Sequence, residues 1–240
     1  MVGFTHHLHT SRVRRFYWYM NRGDISRYIQ EKALRGTTTV AVVCKDGIVV
    51  GADTRVTAGT FIAHKRGKKI FSITPTIAIT IAGLLADAQA VIDTLKYNIR
   101  LYELRNRRRM DVRSAARMLS FILFQNRLYP LYTELLVSGM DGDEFSLYRL
   151  DLLGSLVKDD YSSTGSGSPL ALGVLENVYK RDSTVEEGVN LVAQSLAAAM
   201  SRDIGSGNDF DILVIDRSGS RDLSVEEKGQ LIRKNLGIVT

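Results

Sequence analysis

The chain has 240 residues, 45% of them apolar, enough to bury a substantial core as one domain, and its three prolines leave no signature of a long linker or disordered tail. Its single cysteine, Cys44, excludes an intrachain disulfide and a cysteine-based zinc site and suits a reducing, cytoplasmic setting; no run of about 18 apolar residues is present to span a membrane. The formal charge of +6 is unevenly placed: residues 1–36 hold seven Lys/Arg against Asp24 and Glu31, which leaves +1 for everything after them.

That basic leader contains His6, His7, His9 and the run Phe16-Tyr17-Trp18-Tyr19, and it lacks the basic-then-apolar order of a secretory signal. Such an arm can bind nucleic acid or an anionic surface, or it can be a transient segment. A body without a net basic field favours the transient segment, so neither nucleic acid nor membrane is an expected partner.

After the leader come two β-rich runs, Thr39–Cys44 and Ile48–Ala52, joined by Lys45-Asp46-Gly47, a hairpin signal because the turn needs residues that tolerate positive φ. The stretch Asp53–Gly59 reads as a polar turn, followed by a basic cluster (Lys65, Arg66, Lys68, Lys69) and the apolar pair Ile70-Phe71. Ile77–Ala82 reads as a buried strand stopped by Gly83. The period then changes to helical, with Ala88, Val91, Ile92, Leu95, Ile99 and Tyr102 on one face up to about Arg107, and a second helix over Val112–Arg127. Strands are expected at Glu134–Gly139, Glu144–Asp151 and Ser155–Thr164. Gly165-Ser166-Gly167-Ser168-Pro169 opens a helix to about Tyr179, and Thr184 with Glu187 forms a capping box for a helix to Arg202. Asp209–Asp216 is an apolar strand, and Ser224 with Glu227 caps a closing helix. Strands, two helices, strands, two helices, strand, helix is not a βαβ alternation. It fits an α+β fold of two antiparallel sheets packed face to face with helix pairs on the outer faces.

Chemistry concentrates at strand ends. If the chain is cut after Gly36, Thr37 gains a free α-amine beside its hydroxyl; that amine, with an ordinary pKa of about 7.7–8.0, is a base near neutral pH. A threonine paired with its own amine is an activated nucleophile, although Thr37 taken alone reads more simply as the start of a core strand. The hairpin sets Asp53 roughly opposite residues 38–40, and Lys69, ahead of Ile70-Phe71, can reach the same end. A carboxylate holding a lysine there can tune the threonine's protonation, whereas singly Asp53 is a turn residue and Lys69 an exposed charge. Gly83 can offer an unshielded backbone N–H as an oxyanion donor, or simply enter a helix. The glycine-rich turn at 165–168 lacks the lysine and spacing of a nucleotide loop. His64 is the only histidine after the leader, so a Ser-His-Asp triad has no material, and no carboxylate/histidine cluster suggests a metal; no cofactor is expected.

Together, Gly36-Thr37-Thr38-Thr39-Val40, Gly51–Gly59, His64–Ile70, Ile81–Gln89, Ser163–Pro169 and Arg202–Gly207 resemble the β-subunits of the 20S proteasome, the archaeal ones most closely, over about residues 36–217. The resemblance implies the four-layer αββα sandwich of N-terminal nucleophile hydrolases and autolytic removal of residues 1–36 from a domain spanning 37–240. It implies Thr37 as nucleophile, Asp53 and Lys69 as its tuning pair, and Ser166, Asp203 and Ser206 as polar support for its amine. Gly83 would be the oxyanion donor, Thr57 a backbone contact to extended substrate, and Val56, Phe71, Ile81 and Leu85 the lining of an apolar specificity pocket. The implied activity is threonine-type endopeptidase action on unfolded polypeptides, cutting after hydrophobic residues. The implied partners are α-subunits and other β-subunits in heptameric rings stacked α7β7β7α7, with an ATPase ring feeding substrate. Asn208 departs from the family pattern, standing where a glycine is frequent, and the leader is long. A non-catalytic subunit of the same assembly is the alternative, disfavoured because Gly36, Thr37 and Lys69 are all present.

Overall fold

The computed structural model describes residues 36–236; the expected basic arm up to Arg35 lies outside the described residues, as do the last four. In chain order the elements are β1 (Thr38–Val43), β2 (Ile48–Asp53), β3 (Val56–Ala58), β4 (Phe61–His64), β5 (Ile70–Thr74), β6 (Ile77–Gly83), α1 (Leu85–Asn106) and α2 (Val112–Gln125). They continue with β7 (Thr133–Asp141), β8 (Glu144–Leu150), β9 (Leu156–Asp159), β10 (Tyr161–Gly165), α3 (Ser168–Val178), α4 (Val185–Arg202), β11 (Phe210–Asp216), β12 (Gly219–Asp222) and α5 (Val225–Leu236).

Two five-stranded sheets result, ordered β10-β1-β2-β11-β12 and β5-β6-β7-β8-β9, with every pairing antiparallel. Side chains alternate along each strand, and both faces of each sheet are covered. In the first sheet Val40, Val42, Val49, Ile212 and Val214 pack under α3, α4 and α5, while Ala41, Ile48, Val50, Leu213 and Ile215 face the second sheet. In the second sheet Ala78, Leu136 and Leu147 meet them, and Ile77, Ile79, Leu135, Val137 and Leu150 turn outward to α1 and α2. The layers are therefore helices, sheet, sheet, helices, an α+β sandwich. Burial on both faces explains why these antiparallel strands read as continuous apolar runs instead of an apolar–polar alternation.

The helix ends follow the side-chain chemistry read from the sequence. Thr184 and Glu187 form a complete reciprocal capping box, and Ser224 and Glu227 make the equivalent pair of bonds ahead of α5. On α1 the buried residues are Ala88, Val91, Ile92, Leu95 and Ile99, the expected stripe.

Three expectations are corrected. The segment Asp53–Gly59 is not only a turn: β3 pairs with β4 in a small separate sheet, turning at Gly59 with φ 61°. The single strand expected over Ser155–Thr164 is two strands in different sheets, β9 beside β8 and β10 beside β1. The chain crosses at Asp160, whose carbonyl accepts the Val43 N–H at 2.8 Å. The cluster Lys158-Asp159-Asp160 marks this crossing, where all three charged residues stay at least partly exposed. Strand β12 was missed because Gly-Ser-Arg-Asp carries no apolar period; its backbone pairing with β11 makes it a strand.

Candidate active site

Antiparallel pairing brings several strand ends to one rim of the sandwich. Thr38, the first residue of β1, pairs with Gly165, the last of β10; Thr39 pairs with Ala52, so Asp53 closes β2 beside Thr38. Phe210 opens β11 opposite Asp53, and β5 begins just after Lys69. Thr37 sits at this convergence, 5% exposed.

Asp53 is 1% exposed and Lys69 5%, and their charges meet at 2.7 Å between Lys69 Nζ and Asp53 Oδ1. The carboxylate is held by three further donors: Thr38 N–H at 2.8 Å on Oδ1, and the N–H groups of Arg55 and Gly207, each at 3.0 Å, on Oδ2. Four donors on four lone-pair directions satisfy a buried carboxylate fully. Burial pushes the Lys69 ammonium below the ordinary lysine range, with the Asp53 carboxylate pulling the other way. Burial likewise pushes the Asp53 carboxyl up, opposed by Lys69 and by the N–H groups of Thr38 and Gly207. The free end of this pair is directed at Thr37: Lys69 Nζ also donates to the Gly36 carbonyl oxygen at 3.2 Å, and the Thr37 hydroxyl donates to that same oxygen at 2.5 Å. The Gly36–Thr37 peptide thus lies inside the site.

Gly36 is required there by packing. A Cβ on it would run into the Gly205 carbonyl oxygen and the Thr57 hydroxyl, so Thr57 on β3 lies directly against the chain preceding Thr37.

A second polar chain supports Thr37 from the other side. Asp203, the C-cap of α4, accepts from Ser166 Oγ at 2.7 Å and from Ser206 Oγ at 2.6 Å. With the Ser206 proton on this acceptor, Thr38 Oγ1, 2.6 Å from Ser206 Oγ, donates to Ser206, and Ser166 Oγ also lies 3.3 Å from the Thr37 carbonyl oxygen. Ser166 Oγ in turn accepts the Thr37 N–H at 3.4 Å. The glycine-rich turn at 165–168 directs its helix N-terminus at the same residue, with Gly167 N–H 3.4 Å from the Thr37 carbonyl oxygen. Its partial positive end is thus spent on a peptide carbonyl.

Gly83 takes φ 122°, open essentially to glycine alone, and a Cβ there would overlap the Tyr132 carbonyl oxygen. It lines a small cavity of about 50 Å³ beside Thr37, together with Val56, Ile81, Leu85 and residues 67–69. Phe71 is not in that lining. Alternation along β5 sends Ile70 into the inter-sheet core and Phe71 against the α1–α2 core instead. Among the described residues no cluster of three or more His, Cys, Asp or Glu could hold a metal ion, and His64 is exposed on β4. No helix among them is long and apolar enough to cross a membrane.

A sequence profile described as "Proteasome subunit" matches residues 33–215. The chain belongs to the proteasome subunit family. It is 44% identical over 205 residues to "Proteasome subunit beta 2" of Hyperthermus butylicus, covering 85% of this chain and 96% of that relative. It is 42% identical over 205 residues to "Proteasome subunit beta" of Archaeoglobus profundus, covering 85% and 95%. It is 41% identical over 208 residues to "Proteasome subunit beta 2" of Nitrosopumilus maritimus, covering 87% and 99%.

One residue of this proteasome-family site, Arg55, was given no role in the sequence reading. Arg55 donates from Nε to Asn208 Oδ1 at 3.0 Å and from Nη1 to the Ile204 carbonyl at 2.8 Å, and its guanidinium lies where a side chain on Gly207 would be. Arg55 thereby clamps the loop that carries Ser206 and the Gly207 N–H. Asn208 adopts φ 62°, a left-handed conformation that asparagine tolerates, so the departure noted there has a partner and a geometry of its own. The only signal was Arg55 standing two residues after Asp53, which is too little without the fold.

Proposed function

We propose that the chain is the precursor of a threonine-type endopeptidase subunit of the proteasome core particle, and that it removes its own residues 1–36. The observation that carries this reading is the Gly36 carbonyl oxygen, held 2.5 Å from Thr37 Oγ1 and 3.2 Å from Lys69 Nζ. The bond that must be cut is already at the nucleophile, with a cation on the oxygen that gains charge.

In self-processing, Thr37 Oγ attacks the Gly36 carbonyl carbon and passes its proton to the departing Thr37 nitrogen, so that the peptide becomes an ester. Water then hydrolyses the ester, giving a Gly36 carboxylate and a Thr37 with both hydroxyl and amine free. In the mature subunit that amine takes the hydroxyl proton, directly or through a water, as Thr37 Oγ attacks a substrate carbonyl. Lys69, held by Asp53, favours loss of the proton; Gly83 N–H receives the oxyanion; Ser166, Asp203 and Ser206 hold the amine. The amine reprotonates the leaving nitrogen, and water releases the acyl group.

The apolar lining by Val56, Ile81 and Leu85 supports cleavage after hydrophobic residues of unfolded polypeptides, because an unpaired charge is costly to bury there. Faster cutting after Lys or Glu than after Leu or Phe would overturn that preference. Assembly into heptameric β-rings stacked between α-rings, served by an ATPase ring in the cytoplasm, belongs to the same proposal.

The test is the intact mass of the full chain co-expressed with an α-type partner, beside Thr37→Ala. A new N-terminus at Thr37 in the wild type alone is the expected result. An uncut wild-type chain in an assembled particle would overturn the reading and favour a non-catalytic subunit of the same ring.

A further inference from the structure

We propose that Asp87 is a positioning residue for acyl transfer, setting the oxyanion-donor turn at Gly83; this rests on the peptidase reading above. Gly83 ends β6 and pairs with Thr133 at the start of β7. The backbone of Tyr132, one residue earlier, packs directly against it: the Tyr132 carbonyl oxygen occupies the space of a Gly83 side chain and accepts the Leu84 N–H at 2.6 Å. The Gly83 turn, whose own N–H is the donor, is therefore seated on Tyr132 through its Cα and the following Leu84 N–H.

Tyr132 lies in an irregular connection, because residues 126–132 join α2 to β7 without helix or strand. Asp87 reaches it from α1: its Oδ2 accepts the Tyr132 N–H at 2.9 Å. Asp87 is in the first turn of α1, three residues after the cap Leu84, where a carboxylate is also favoured by the helix dipole. The same peptide run is thus gripped at both polar ends: Leu84 takes its carbonyl and Asp87 its N–H. One helix turn carries the oxyanion glycine at its entrance and, a turn on, the acid that fixes the neighbour on which that glycine rests. Removing an oxyanion donor outright costs about 10²–10³ in kcat, and displacing one by a fraction of an ångström costs less.

The experiment uses the assembled, processed complex with wild type, Asp87→Ala, Asp87→Asn and Asp87→Glu. It measures kcat and KM on a fluorogenic peptide ending in Leu, and inhibition by a peptide boronate, whose tetrahedral adduct puts an oxygen where the oxyanion forms. Asp87→Ala is expected to lose about tenfold in kcat with KM within about twofold, and to weaken the boronate by the same factor as kcat. Asp87→Asn, which keeps an acceptor oxygen in place but not the charge, is expected to recover most of both. Wild-type kcat in Asp87→Ala would overturn the inference, as would equal losses in Asp87→Ala and Asp87→Asn, which would mark a helix-dipole role. Should Asp87→Ala not fold, Asp87→Glu decides: it keeps the charge but moves the acceptor, so several-fold loss of kcat is expected and wild-type kcat overturns. A wild-type complex that cuts no peptide would sink the peptidase reading and this inference with it.

Discussion

Replacing Asp53 by Asn changes one atom and no volume, yet the hydrogen-bond pattern makes it a severe perturbation. Each oxygen of Asp53 accepts two donors: Oδ1 takes Thr38 N–H and Lys69 Nζ, and Oδ2 takes the N–H groups of Arg55 and Gly207. An asparagine amide must set its NH₂ against one of these pairs, whichever way it is turned. Two buried donors are then left facing a donor, at a cost of about 2–6 kcal/mol. At about 2–4 °C per kcal/mol for a domain of this size, the melting temperature drops by roughly 5–20 °C. Lys69 also loses its counter-charge, so its ammonium is driven further below the ordinary range and no longer held at the Gly36 carbonyl. Self-processing is expected to slow by at least about tenfold, which corresponds to a loss of only about 1.4 kcal/mol at the transition state. The assay is thermal unfolding at fixed protein concentration, with the processed fraction followed by mass. A variant melting within about 1 °C of wild type and processing at the wild-type rate would refute the four-donor account.

Other outcomes follow from the same geometry. Gly83→Ala must move either its own φ of 122° or the Tyr132 carbonyl, so acyl-enzyme formation measured in single turnover should fall by about 10²–10³ while peptide binding persists. Arg55→Lys supplies one ammonium where a planar fork bonds Asn208 and Ile204, and should destabilise by about 1–2 kcal/mol, read by denaturant unfolding. Burial raises the Cys44 thiol to about 12. In the folded chain it should therefore resist iodoacetamide at pH 8.5 and react once denatured, as read by mass. Because the folded value lies above the unfolded one, its contribution to stability is fully present below about pH 8.5 and is lost as pH rises toward 12, at up to about 1.4 kcal/mol per pH unit. Cys44→Ala should lack that part of the decline.

Asp53 was readable beside the proposed nucleophile because that approach depends on short-range pairing. The Asp46-Gly47 turn fixes the β1–β2 register, and that register alone puts Asp53 across from Thr38. Lys69 followed from its neighbour, since Ile70 is buried and drags it to the rim. Phe71, which the resemblance gave as pocket lining, falls outside the cavity because strand parity turns it against the α1–α2 core. The break at Asp160 was missed because a chain that passes from one sheet to the other keeps its β-rich composition on both sides of the crossing.

By itself, then, the sequence indicated the helices, the caps of the last two, the hairpin at the first strands, and Gly36, Thr37, Asp53 and Lys69 as candidates. The caps, the hairpin and the approach of Asp53 to Thr38 rest on interactions between residues close in the chain, whereas the contact of Lys69 with Asp53 joins the two sheets. Only the tertiary structure decided that Ser166, Asp203 and Ser206 form one hydrogen-bonded line to Thr37, that Arg55 clamps the 204–208 loop, and that Asp87 holds Tyr132, against which Gly83 rests. The bonds that tie this line to Thr37, Arg55 to the loop and Asp87 to Tyr132 join residues 45 to 153 positions apart. Their geometry is set by how two sheets and their helices pack, which no local pattern encodes.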